Sequence, residues 1–155
     1  MTLARILAAP ALIWGLALLL THSAVAQDNW VVKTSPKPVP DTVKALTAAV
    51  EGAGASVAAV VDHAAGAKKV GMELPPTTLV IFGNPKLGTP LMQENRQIAM
   101  DLPMRVLVWQ DSDTTKVGYL KPESMASWYG IAADNPSIKT MTGALDKLTN
   151  AATAE

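Results

Sequence analysis

Cysteine is absent from this chain. Its absence removes disulfides, thiol redox chemistry, cysteine nucleophiles, zinc ribbons, haem attachment through a cysteine pair, and a lipid-modified cysteine anchor. Charge of one sign is lacking as well, since 13 basic side chains stand against 13 acidic ones with no long block of either. Nucleic-acid binding needs a basic stripe that displaces counterions from phosphates. The densest basic spot here is only the pair Lys68-Lys69, so nucleic acid is not an expected partner. Also missing are the Gly-x-x-x-x-Gly-Lys-Ser/Thr phosphate loop and the Gly-x-Ser-x-Gly nucleophile elbow. Asp111-Ser112-Asp113 resembles the opening of a calcium loop but lacks the glycine and the closing glutamate that such a loop needs.

What the chain does have begins with its first residues. A short segment carrying Arg5 leads into the apolar stretch from Ile6 to Leu20, and Ala24-Val25-Ala26 precedes Gln27-Asp28. Small residues three and one before the Ala26/Gln27 bond suit a signal peptidase, so residues 1–26 read as a cleaved export segment. The competing reading, an uncleaved anchor, is disfavoured by Pro10 and by that cleavage site. Residues 27–155 are then expected to form one domain in the periplasm or outside the cell, with no stable membrane insertion after cleavage. With no disulfide to help, its core alone must hold it together.

The remainder of the chain alternates strand and helix signals. Trp30-Val31-Val32 reads as a first strand stopped by the proline-rich stretch Pro36 to Pro40. Val43, Leu46, Val50 and Ala53 recur at helical spacing. Ser56 to Asp62 is a valine-rich strand that runs into small residues, and Thr77 to Phe82 reads as a central strand buried on both faces. Thr89-Pro90 is the expected N-cap and first position of a second helix, with Gly83 to Thr89 as a loop. Met104 to Gln110 and Lys116 to Leu120 form a hairpin around a polar turn. A short helix from Pro122 and a last helix from Asn135-Pro136 complete the chain. The order βαββαββα plus a C-terminal helix predicts an α+β domain, a mixed or antiparallel sheet of about five strands covered by helices. Strands this apolar predict a second layer, either helices or a second copy of the chain.

Four segments carry a family resemblance: Asp62-His63, Gly71-Met72-Glu73-Leu74-Pro75-Pro76-Thr77, Phe82-Gly83-Asn84-Pro85-Lys86-Leu87-Gly88-Thr89-Pro90-Leu91-Met92, and Asp101-Leu102-Pro103-Met104-Arg105-Val106-Leu107-Val108-Trp109. They resemble the bacterial family known as domain of unknown function 302. The resemblance implies a compact, dimeric α+β domain and no established activity. Tyr119-Leu120-Lys121-Pro122 departs from the more polar turn usual in the family, and Trp128-Tyr129 stands where a basic pair is frequent.

His63 is the histidine left after cleavage, and its imidazole can exchange protons near neutral pH. It reads either as a hydrogen-bonded residue at a strand end or as a ligand contact. Gly83, Asn84, Lys86 and Thr89 lie where a strand meets a helix, a geometry in which amides and a lysine can hold an anion. The plain alternative is an ordinary tight connection. The six methionines after the export segment are scattered without a metal-binding cluster and read as core filling. No catalytic set, metal or cofactor is expected.

Three functions remain open. The first is a non-catalytic domain that binds or senses a small anionic ligand between His63 and the Gly83 to Thr89 loop, as a homodimer. The second is a small enzyme in which His63 moves a proton on an anion held by Lys86. The third is a structural or protein-interaction module.

Overall fold

The structure is a computed structural model that describes residues 29–155. The export segment assigned to residues 1–26 lies outside the described residues. Strand β1 (Trp30–Ser35) is followed by helix α1 (Val39–Gly52), β2 (Ser56–Asp62), α2 (His63–Lys69), β3 (Thr77–Gly83) and α3 (Pro85–Glu94). A short 3-10 turn (Arg96–Met100) leads to β4 (Met104–Asp111), β5 (Thr114–Leu120), α4 (Pro122–Trp128) and α5 (Pro136–Thr153). The five strands form one sheet in the order β1-β5-β4-β3-β2, and every neighbouring pair is antiparallel. The expected α+β architecture is therefore the observed one. The element order differs by one helix, because α2 forms in the small-residue stretch after β2. It escapes a periodicity test because it buries no residue. What starts it is the Asp62 carboxylate, which accepts the Ala65 amide at 2.9 Å.

The helices cover one face of the sheet. In α1, Val39, Thr42, Leu46 and Val50 are buried at intervals of three and four, which sets them on one stripe. That stripe packs on β3 and β4 and beside α5. From α5, Ile138, Met141, Leu145 and Leu148 complete the layer. The strands contribute alternate residues: Val80 and Phe82, Met104, Val106 and Val108, and Val117 and Tyr119 are all buried, as the period of two requires. Burial of each such aliphatic side chain contributes roughly 1.5–3 kcal/mol. Polar links tie the edge strand to the helices. The Lys33 amine on β1 donates to Asp146 at 2.7 Å and to Asn150 at 2.6 Å on α5. A buried hydrogen bond of 2.8 Å joins the Ser35 and Thr42 hydroxyls.

The other face carries Trp30, Val32, Leu120, Leu107, Trp109, Leu79 and Ile81, and none of these large side chains is buried. Trp30 and Val32 remain 47% and 53% exposed. Strand β3 is thus buried on its helix side and only partly covered on the other. The expected second layer is not supplied by any helix among the described residues. The methionines also divide. Met104, Met125 and Met141 fill the core, whereas Met72 and Met100 are exposed at 64% and 81%.

Candidate functional site

At the end of β3 the chain passes Gly83 and reaches Asn84, whose extended backbone and side chain begin a helix. The Asn84 carbonyl side chain accepts the Lys86 amide at 2.9 Å. The Asn84 backbone carbonyl accepts the amides of Leu87 and Gly88. Helix α3 therefore starts at Pro85, one turn before the Thr89-Pro90 start expected from the sequence. Both sites offer a capping residue followed by proline, and asparagine is the better cap. Pro90 is then carried inside the helix, a position that removes one backbone hydrogen bond. The region expected to be a loop is a helical turn whose first amides are already used within the chain. Few donors remain there for an anion.

The same turn does build a pocket. Its walls are the start of β2 (Ser56, Ala58), the junction Gly83-Asn84, the face of α3 bearing Gly88, Thr89 and Met92, and Leu102-Pro103. Its volume is about 390 Å³, within the range of small-molecule sites. Two glycines shape it. A Cβ at Gly83 would lie 3.1 Å from the Pro103 Cβ, a tight contact that would push that ring back by a few tenths of an ångström. At Gly88 a Cβ would stand 3.6 Å from Leu102 and 3.8 Å from Met92, filling space that the pocket now holds. No charged side chain lines it. Gly83, Asn84 and Thr89 are brought together here, while Lys86 is exposed and does not line the pocket.

His63 is not part of this site. In the β2–β3 ladder Ser56 pairs with Gly83 and Asp62 with Thr78. His63 follows Asp62 at the far end of that ladder, roughly 20 Å of strand from the pocket. It is exposed and opens α2. The pairing of His63 with the Gly83 to Thr89 region, and with Lys86, does not form. The neighbouring Asp62 carboxylate caps α2.

One polar cluster was not foreseen. Asp101 accepts a hydrogen bond from the Arg105 guanidinium on one oxygen and from the Tyr129 hydroxyl at 2.5 Å on the other. That hydrogen bond to Asp101, together with burial and the nearby carboxylate charge, raises the Tyr129 pKa above that of a free phenol. Asp101 and Arg105 flank a turn into β4, and Tyr129 follows α4. No sequence spacing links the three. Among the described residues no group of three or more His, Asp and Glu side chains converges as a metal site.

Residues 31–154 match the family model for the domain of unknown function DUF302, and the chain belongs to that family. The crystal structure of an uncharacterized conserved DUF302 protein from Bacillus stearothermophilus shares the fold. Its TM-score is 0.65 at 19% identity, with 81% of this chain and 95% of that chain covered. Sequence relatives include proteins named fluoride-specific ion channel FluC 1. That of Brucella suis biovar 1 (strain 1330) is 44% identical over 89 residues, covering 57% of this chain and 35% of the relative. That of Brucella abortus biovar 1 (strain 9-941) matches at 44% over 89 residues, with 57% and 33% covered. The chain thus spans about a third of the length of these relatives. No helix among the described residues is long and apolar enough to cross a membrane.

Proposed function

We propose that this chain is an exported, non-catalytic domain that binds a small ligand in the pocket between the start of β2, α3 and Leu102-Pro103. The observation that supports this reading is the pocket itself, an opening of about 390 Å³ held by Gly83 and Gly88 within the segment that carries the family resemblance. Its uncharged lining alters the expected ligand from an anion to a molecule that inserts an apolar group, with Ser56, Asn84 and Thr89 at hand for a polar end. The enzyme reading required His63 beside Lys86, and the β2–β3 register argues against it. Fluoride is likewise not the ligand of this reading, because no cation lines the pocket. The stretch shared with the channel relatives is on this reading an accessory module beside their conducting part. A melting-temperature screen of residues 27–155 against small apolar alcohols, amides, fluoride and phosphate tests the proposal. A stabilising apolar compound that also protects His63→Ala supports it. Stabilisation by anions alone, lost in His63→Ala, would overturn it.

The uncovered sheet face supports the homodimer as a second element of the proposal. Apolar faces of this extent normally meet a partner, and a closed pair of identical copies is the commonest arrangement. Val32 stands half exposed on the edge strand, so Val32→Lys should leave the protomer folded. Wild type is expected to sediment as a dimer and the variant as a monomer. A wild type that stays monomeric at high concentration would remove the dimer.

A further inference from the structure

The uncovered face is not flat. Cross-strand partners place Val32, Gly118, Leu107 and Leu79 in one row across four strands. Gly118 puts no side chain into that row and borders a hollow on this face. Trp30, Leu120, Leu107 and Leu79 wall this hollow together with Met104 and Met125, and both Arg105 and Asp101 line it. The Trp109 indole lies against Gly118, where a Cβ would come within 2.9 Å of the ring. The hollow measures about 270 Å³, just under the roughly 300 Å³ at which drug-sized sites begin. That size suits a single ring or a short acyl chain.

Arg105 is the one cation of the lining and its guanidinium is held in place. One of its nitrogens donates to Asp101, whose second oxygen is taken by the Tyr129 hydroxyl. A guanidinium has five N–H donors in a fixed fork, and this contact uses one nitrogen. Carboxylates match the remaining fork. Asp101, which lines the same hollow, has one oxygen on Arg105 and the other on the Tyr129 hydroxyl. The geometry points to a second binding site on this face, for a small amphipathic carboxylate whose apolar body lies between Trp30 and Leu107. Its carboxylate pairs with Arg105. This site is separate from the pocket at Gly88 and uses none of its residues.

Phenylacetate is the probe, followed by the tryptophan fluorescence of residues 27–155 with benzyl alcohol and acetate as controls. Trp30 at the wall makes the emission sensitive to occupancy. The titration is run at two protein concentrations a hundredfold apart, because a second copy on this face would roof the hollow. Saturable quenching by phenylacetate at the lower concentration, at least about tenfold tighter than by benzyl alcohol or acetate, is expected from a charge-assisted pair over an apolar floor. Arg105→Gln should weaken phenylacetate by about tenfold or more and Arg105→Lys by less, while Gly88→Ala leaves it unchanged. No saturable quenching at either concentration would overturn the site. So would equal affinity for the alcohol, or an undiminished affinity in Arg105→Gln with unaltered circular dichroism. A phenylacetate affinity that falls in Gly88→Ala rather than in Arg105→Gln would assign binding to the other pocket.

Discussion

Gly88→Ala separates stability from binding. Gly88 is buried in the middle of α3, and its backbone is not in the left-handed region that would demand glycine. Alanine in a helix interior is favoured over glycine by about 1 kcal/mol. The added methyl meets Leu102 Cδ1 at 3.6 Å and Met92 Cε at 3.8 Å, both ordinary contacts that cause no clash. Burying it adds several tenths of a kcal/mol more. The sum, about 1–1.5 kcal/mol, should raise the melting temperature by roughly 3–6 °C for a domain of this size. The same methyl occupies pocket volume. A ligand that stabilises wild type should bind the variant about tenfold more weakly, since an overfilled site costs roughly 1–3 kcal/mol. Paired thermal melts with and without ligand read both effects. A variant that melts lower than wild type would refute the helical placement of Gly88. A variant that melts higher but binds undiminished would refute the pocket.

The remaining predictions address other parts of the fold. Gly118→Ala places a Cβ within 2.9 Å of Trp109, at the far end of a partly exposed ring that can swing outward. The emission maximum should therefore shift to the red while stability changes by less than about 1 kcal/mol, and an unshifted spectrum would contradict the indole's placement. Lys33→Ala tests the β1–α5 tie. The hydrogen bond and charge of Lys33 hold the Asp146 carboxyl below its ordinary value. A depressed carboxyl stabilises the fold above its unfolded pKa and loses that contribution as pH falls through the folded pKa. Urea melts should show wild type above the variant at neutral pH and the two converging below the ordinary carboxylate range. A gap that persists undiminished at pH 2 would show that the pair is not its source.

How far the sequence could be read depended on whether an element buries anything. Val43, Leu46 and Val50 announce α1 because the helix must put an apolar stripe on β3 and β4, and Ile138, Met141, Leu145 and Leu148 announce α5 for the same reason. Helix α2 has no such stripe, so only its Asp62 cap could have revealed it. The face-by-face reading of β3 failed for a related cause. Leu79 and Ile81 are as apolar as Val80 and Phe82, yet only the latter two meet helices. A run of apolar residues records what a strand can bury and is silent on what covers it.

The site was legible in place but not in character, and the difference comes down to one cap. Asn84-Pro85 and Thr89-Pro90 are both competent helix starts separated by five residues. Had the later one prevailed, the amides of residues 86 to 88 would have stood free at a strand end beside Lys86, a fair anion nest. Because Asn84 captures the Lys86 amide and its carbonyl takes those of Leu87 and Gly88, the donors turn inward. The side of α3 that faces Leu102 then presents Gly88 and Met92. The choice of cap thus converts a polar site into an apolar pocket without any change of sequence. It follows that Asn84→Ala, which weakens the earlier cap by roughly 1 kcal/mol, should shift helix initiation toward Thr89. Amide exchange at Leu87 and Gly88 would then rise while exchange within β3 stays slow. Equal protection of Leu87 and Gly88 in variant and wild type would show that Asn84 does not decide where α3 begins.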